Sequence, residues 1–240
     1  MQSQSPLKST VGRKVIMAVS GIFLMLFLIV HLAGNLTLFV PDGGEMFNQY
    51  AHKLESLGVL LYIAEAGLLA IFLFHVFTAF QVYAEKRRAR PDTYAVKASK
   101  GGPSKNTIAS RSMIYTGIVL LIFIPAHIWM FKFNAGNEFA YVEAGEKEMK
   151  NLYAVVVDAF QNPAIAFGYT AVMLFLGFHL RHGFWSALQS LGAMCPKGSP
   201  LIYTAGLIFA ILLAGGFLVL PLYFYFCGAG GSCAWTGGTP

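Results

Sequence analysis

VIMAVSGIFLMLFLIVHLAGNLTLF, residues 15–39, is a run of 25 residues without a single charged side chain. As a helix rising ~1.5 Å per residue, it exceeds the ~30 Å hydrocarbon core of a bilayer. The run is too long for a secretion signal and no clear small-residue cleavage site follows it, so we interpret it as a retained membrane helix. Its one imidazole, His31, is unexpected, because an imidazole in hydrocarbon is costly unless something binds it.

Four more apolar runs follow the first. The 240-residue chain is 56% hydrophobic and 12% charged, with a mean hydropathy of +0.60, values far from those of a soluble domain. We therefore predict an all-α integral membrane protein with one domain, residues 1–240, and no internal repeat. The transmembrane helices are expected near residues 14–39, 57–84, 112–132, 163–188 and 201–226.

The distribution of charge predicts the orientation of the chain. The N-terminal tail and loop 85–111 are rich in Lys and Arg, whereas the first and third loops are net acidic. By the positive-inside rule, the N-terminus and loop 85–111 are cytoplasmic and the C-terminus lies outside. The net charge of +6 thus has a topological meaning and calls for no nucleic-acid partner.

The connecting segments give three further expectations. The sequence GEMFNQYAHKLESLG, residues 44–58, predicts a short interfacial helix in the first outer loop, and Pro163 suits the first turn of the fourth span. Cys227 and Cys233 could form a disulfide in the outer tail, but free thiols remain an equal alternative. Cys195 is expected to be an idle cytoplasmic thiol.

Four histidines lie one each in the first four spans. Counted along each helix, His31 and His127 fall toward the outside, and His75 and His179 toward the inside. In an up-down bundle the first and third helices are diagonal neighbours, as are the second and fourth, so each pair can face across the interior. We call His31 and His127 the outer pair, and His75 and His179 the inner pair.

Two facing imidazoles at one depth are typical of a bis-histidine b-type haem, and two such pairs predict two haems. A single membrane histidine is more often a packing residue or a member of a proton relay. A zinc or copper site is less favoured, because such metals take ligands clustered at one level, usually with Cys, Asp or Glu. No C-x-x-C-H motif is present for a c-type haem.

Several separate stretches resemble one family. SPLKSTVGRKVIMAVSGIFLMLFLIVHLAGNL, FNQYAHKLES, SRSMIYTG and GFHLRHGFWSALQSLG are similar to the di-haem cytochrome b subunit, of b558 type, of succinate dehydrogenases and fumarate reductases. The resemblance extends from about residue 6 to residue 226. It implies five helices, the first four of them in an up-down bundle around two haem b groups.

The resemblance also implies ligands, partners and a location. His75 and His179 would bind the haem proximal to an iron–sulfur subunit, and His31 and His127 the distal haem. A flavoprotein subunit and the iron–sulfur subunit would dock on the cytoplasmic side of a bacterial inner membrane. This chain would be the membrane subunit of a succinate:quinone oxidoreductase and would exchange electrons with quinone, with menaquinone favoured.

Further site residues are weaker candidates. On the propionate side we name His182, Arg13, Arg111 and Arg181, although surface position and positive-inside charge explain these residues equally well. Glu65 is the one acidic residue inside a span and could serve quinone or a proton path, or hydrogen-bond a neighbouring helix. His52 is a second quinone candidate or an ordinary interface residue.

Two positions in the third and fourth spans qualify the resemblance. Some di-haem fumarate reductases have a glutamate two residues before the fourth ligand, where this chain has Gly177, so a compensating proton route gains no support. Gly177 is expected instead to relieve crowding at the haem face. Pro125 is expected to kink the third span just before His127.

Two other functions remain open. The chain could be the di-haem anchor of another quinone-linked enzyme, such as a hydrogenase or a formate dehydrogenase. It could also be a proton-coupled transporter in which the histidines and Glu65 form a relay. The basic cytoplasmic surface favours the succinate or fumarate enzyme over a periplasmic partner.

Overall fold

The computed structural model describes residues 9–89, 107–133, 141–144 and 147–228. This part of the chain is helical apart from one two-stranded hairpin. Five of its helices are long and apolar enough to cross a membrane. The elements are α1 (Thr10–Leu36), α2 (Glu45–Glu55), α3 (Val59–Ala89), α4 (Ile108–Ile128), β1 (Tyr141–Ala144), β2 (Lys147–Lys150), α5 (Leu152–Gln161), α6 (Pro163–Ser190) and α7 (Ser199–Cys227).

The membrane-protein fold is therefore the predicted one, and the long helices overlap the five predicted spans. Local capping explains where several of them begin. The Ser9 hydroxyl accepts a hydrogen bond from the Gly12 amide at 2.9 Å, so α1 begins before the apolar run. Thr107 and Ser110 form a reciprocal capping box at the start of α4. Pro163 occupies the first turn of α6, as expected, behind an Asn162 cap.

The five long helices, α1, α3, α4, α6 and α7, pack in an up-down order. α1 packs against α3 and α6, α4 packs against α6, and α7 packs along α6. No extended contact joins α3 to α4 in the described part of the chain. A central apolar cluster from α1, α6 and α7 includes Met25, Leu176 and Leu213. The bundle is therefore closed on the α6 side and more open between α3 and α4.

Close helix contacts occur at small residues. A Cβ atom on Gly177 would lie 3.3 Å from the Cβ of Ala214 on α7, so this residue lies against α7 and not at a haem face as expected. A Cβ on Gly206 would lie 3.0 Å from the Phe184 ring. Such positions let membrane helices approach closely.

A cap formed by α2, the β1–β2 hairpin and α5 covers the end of the bundle that holds the C-terminus of α1; we call it the outer cap because this end is predicted to face outside. α2 forms where the sequence predicts a short helix, whereas the hairpin and α5 form in a segment expected to be loop. A second buried cluster joins Leu38, Tyr153, Phe160 and Phe224 beneath this cap. Asn48 is 2% exposed and holds α2 to α5, because its Oδ1 accepts from the Tyr153 amide at 2.9 Å and its Nδ2 donates to Asn151 at 3.1 Å.

Candidate functional site

The outer pair meets between α1 and α4. The ring centres of His31 and His127 are 5.9 Å apart, with the ring planes at 83°. Phe27 stacks on His31 at 5.3 Å, and Phe123 stacks on His127 at 5.5 Å. Each imidazole is thus backed by an aromatic ring one helical turn earlier on its own helix.

The inner pair meets between α3 and α6. The ring centres of His75 and His179 are 6.4 Å apart, with the planes at 66°. These are the two pairs expected from the depth of each histidine. On α1, Ser20, which contacts His75, precedes His31 by eleven residues, so the two layers are ~16 Å apart along that helix.

The spacing within each pair suits one metal ion between two rings. With ~2 Å from metal to nitrogen and ~1.2 Å from nitrogen to ring centre, two linearly opposed imidazoles have centres ~6.4 Å apart. Edge-to-face packing of two aromatic rings gives similar distances between ring centres, so the hydrogen bonds of the imidazoles are needed to distinguish packing from metal ligation. Among the described residues there is no cluster of three or more His, Cys, Asp or Glu that could hold a metal ion.

Hydrogen bonds define the tautomer of both inner histidines. Nδ1 of His75 lies 3.2 Å from the Ser20 hydroxyl, and Nδ1 of His179 lies 3.2 Å from the Thr116 hydroxyl. The Ser20 hydroxyl donates to the Met17 carbonyl and the Thr116 hydroxyl donates to the Met113 carbonyl, each at 3.1 Å. Each hydroxyl is therefore left to accept from Nδ1–H, which leaves Nε2 of each imidazole as the basic nitrogen.

The same short pattern occurs on α1 and α4. SGIFLMLFLIVH, residues 20–31, and TGIVLLIFIPAH, residues 116–127, share the hydroxyl, the glycine, the phenylalanine and the histidine at equal spacing. A Cβ on Gly21 would lie 3.3 Å from His75, and one on Gly117 would lie 3.7 Å from His179. The expectation of no internal repeat stays a prediction for the chain as a whole, and these twelve residues are a short similarity between α1 and α4.

The outer pair has a more aromatic surrounding than the inner pair. His31 also contacts Phe217 of α7 at 5.6 Å between ring centres. The Tyr169 hydroxyl lies 3.4 Å from Nδ1 of His127, a long contact, and 3.6 Å from the sulfur of Met130. The outer pair therefore lies among aromatic side chains of α1, α4, α6 and α7.

The predicted propionate-side residues lie at the end of the bundle that holds the N-terminus of α1. Arg13 forms an ion pair with Glu85 of α3. His182 packs edge-on against Trp185 at 4.7 Å, and its buried Nδ1 has no hydrogen-bond partner among the described residues. Arg111 and Arg181 are exposed on α4 and α6. The four candidates therefore share one end of the molecule.

The predicted quinone-side residues lie toward the opposite end. Glu65 of α3 forms an ion pair with Lys132, which belongs to the π-helical turn Trp129–Phe133 that continues α4 past Pro125. The Lys132 ammonium also lies 6.0 Å from the centre of the Tyr62 ring. His52 is half-buried in the last turn of α2. The expectation of an acidic group inside a span is met, with a cationic partner that the sequence alone did not indicate.

Two of the three cysteines lie among the described residues. Cys195 is a free, exposed thiol after α6, and Cys227 at the end of α7 is disulfide-bonded. Cys233 lies outside the described residues.

Comparison of the chain with protein-family models, with curated proteins and with solved structures finds no match. The function is therefore inferred from the residues of this chain.

Proposed function

We propose that the protein is a membrane electron-transfer subunit that holds two b-type haems, one between the imidazoles of each pair. The observation that carries this proposal is the inner pair: two rings from different helices, 6.4 Å apart, each with Nδ1 against a hydroxyl and Nε2 left for a metal. A hydrogen-bond acceptor at the other ring N–H is typical of a histidine that ligates a metal.

The chain's own residues fit such a group. His75 and His179 would supply axial nitrogens at one depth, and His31 and His127 at the other. Gly21 and Gly117 leave the backbone close to the inner rings, and phenylalanines back the outer rings. When bound, each iron would supply a reversible one-electron couple inside the bilayer.

The remaining parts of the proposal come from the family resemblance. The chain would be the anchor of a succinate:quinone oxidoreductase, with an iron–sulfur subunit and a flavoprotein on the cytoplasmic side of a bacterial inner membrane. Quinone, with menaquinone favoured, would bind near the outer pair, where α3 and α4 lie apart and Glu65 and Lys132 face each other. Arg13, Arg111, Arg181 and His182 would lie at the cytoplasmic end.

Absorbance spectroscopy tests the proposal on the full chain purified in detergent. Dithionite should produce b-type α-bands with about two haems per chain. A hydrogenase-type or formate-dehydrogenase-type anchor would give the same bands, and succinate-dependent reduction of the haems in the assembled complex separates that alternative. A transporter would be colourless.

Paired substitutions test the assignment of ligands. The double variant His31→Leu with His127→Leu should keep one haem, because both changes remove the same site. The cross-pair variant His31→Leu with His75→Leu should keep none, and His52→Leu should keep both. Retention of one haem in the cross-pair variant would overturn the assigned pairs.

A further inference from the structure

The hydroxyl groups beside the inner pair are the basis of a further inference. Ser20 is 8% exposed and Thr116 is 2% exposed, and each contributes a hydroxyl from a helix that carries no inner histidine. The inner rings belong to α3 and α6 and face each other. The His75 ring is hydrogen-bonded by a side chain of α1, and the His179 ring by a side chain of α4.

An acceptor at Nδ1–H changes what the opposite nitrogen does. It fixes the tautomer and the ring orientation, and it raises the basicity of Nε2 toward a metal. A more basic axial ligand stabilises the ferric state of a haem iron relative to the ferrous state. In the described structure only one ring of the outer pair has such a hydroxyl neighbour. The Tyr169 hydroxyl donates to the Met130 sulfur and lies 3.4 Å from Nδ1 of His127, farther than either inner hydroxyl, whereas His31 has aromatic neighbours.

Resting on the di-haem function proposed above, we infer that Ser20 and Thr116 are positioning residues for the inner histidines. By accepting from Nδ1–H of His75 and His179, they hold the reduction potential of the inner haem below the value that the same two ligands would give without them. The outer haem is outside their reach, ~16 Å away along α1.

The test is optical potentiometry on the full chain carrying Ser20→Ala or Thr116→Val. At a fixed potential, the ferrous-to-ferric ratio of one haem should rise about three- to tenfold, and tenfold corresponds to about 59 mV for a one-electron couple. The other haem should keep its potential. Low-temperature EPR should show altered low-spin ferric g values for one haem only, which reports the changed ligand directly.

Matched variants separate hydrogen bonding from packing. Ser20→Thr and Thr116→Ser each keep a hydroxyl, so both variants should have the wild-type reduction potential at the inner haem. Thr78→Val removes a buried hydroxyl that donates to the Phe74 carbonyl at 2.7 Å, three residues from His75, and should leave both potentials unchanged. If Ser20→Ala lost the inner haem, retention of that haem in Ser20→Thr would support the same role.

Two outcomes overturn the inference. One is that both haems are retained with unchanged potentials and g values in Ser20→Ala and in Thr116→Val. The other is that Ser20→Thr behaves as Ser20→Ala does. A wild-type chain without haem would instead defeat the proposed function itself, so the two failures are distinguishable.

Discussion

Glu65 and Lys132 show how an isolated acidic residue is accommodated in a membrane protein. Their side chains are 41% exposed for Lys132 and 37% exposed for Glu65, so the surrounding helices do not enclose either charge. Lys132 lies past the end of α4, from where a long side chain can reach the membrane surface. The ion pair joins α3 to the turn after α4, and these two helices otherwise make no extended contact in the described structure. Its partly exposed carboxylate is therefore open to proton exchange.

We expect Glu65→Gln to keep both haems and to slow quinone-linked turnover about tenfold or more, because the amide cannot exchange the protons that quinone chemistry requires. Turnover is measured in the assembled complex with succinate and a quinone. Lys132→Met is the matched control, since it breaks the same pair and leaves the carboxylate in place. Equal slowing in both variants would assign the effect to the ion pair, and unchanged turnover in Glu65→Gln would remove Glu65 from the quinone site.

At the scale of the element, the outer cap depends on where α2 begins. Gly44 has φ of +91° as the N-cap of α2, and a Cβ there would overlap the Tyr153 ring of α5. Gly43 has φ of +71° with nothing within 4 Å of such a Cβ. Two neighbouring glycines therefore need the same left-handed backbone, but only one of them also lies against another helix.

Gly44→Ala should lower the free energy of unfolding by ~2–4 kcal/mol, because it combines left-handed strain with overlap against Tyr153. Gly43→Ala should cost only ~1–2 kcal/mol, the strain alone. Unfolding of the purified chain in mixed detergent micelles measures both values. Equal costs would mean that the cap is not packed as described.

The buried amide of Asn48 gives a second prediction for the cap. Asn48→Ala should cost ~1–3 kcal/mol, because the Tyr153 amide loses its acceptor in a buried position. Gln49→Ala removes a neighbouring amide that is exposed and bonds only Glu45 in its own helix, so it should be nearly neutral. Hydrogen exchange at the Tyr153 amide should accelerate in the first variant and not in the second.

The cap also shows the limit of sequence reasoning at this scale. α2 could be predicted because its apolar residues recur at helical spacing over an otherwise polar segment. α5 could not, because Leu152–Gln161 is too short to span a membrane and contains three consecutive valines, which favour a strand over a helix. Burial against α6 and α7, a tertiary effect, stabilises it as a helix.

For the whole molecule, hydropathy was sufficient to locate the five long helices, and counting along them was sufficient to match the histidines by depth. The hydroxyls of Ser20 and Thr116 were not foreseen, because their contacts depend on the rotation of each helix about its axis. Lys132 was missed for a similar reason: it lies in a π-helical turn that follows a proline, and the sequence does not fix the direction of its side chain there. The sequence carries a signal for the two hydroxyls, because Ser20 and Thr116 occupy the same place in the similar segments 20–31 and 116–127.

The orientation of the whole molecule can be tested with Cys195, a free and exposed thiol on the end predicted to be cytoplasmic. A membrane-impermeant maleimide should label it in inverted inner-membrane vesicles and not in intact spheroplasts. Cys227 is disulfide-bonded and should not react without reductant. Cys195→Ser reports any other labelling, and reaction of Cys195 from the spheroplast exterior would reverse the assigned topology.

The four histidines are shared evenly between two halves of the bundle, α1 with α3 and α4 with α6. Each half supplies one imidazole to the outer pair and one to the inner pair. Neither half alone therefore contains a complete pair, and both pairs form together when α1–α3 packs against α4–α6.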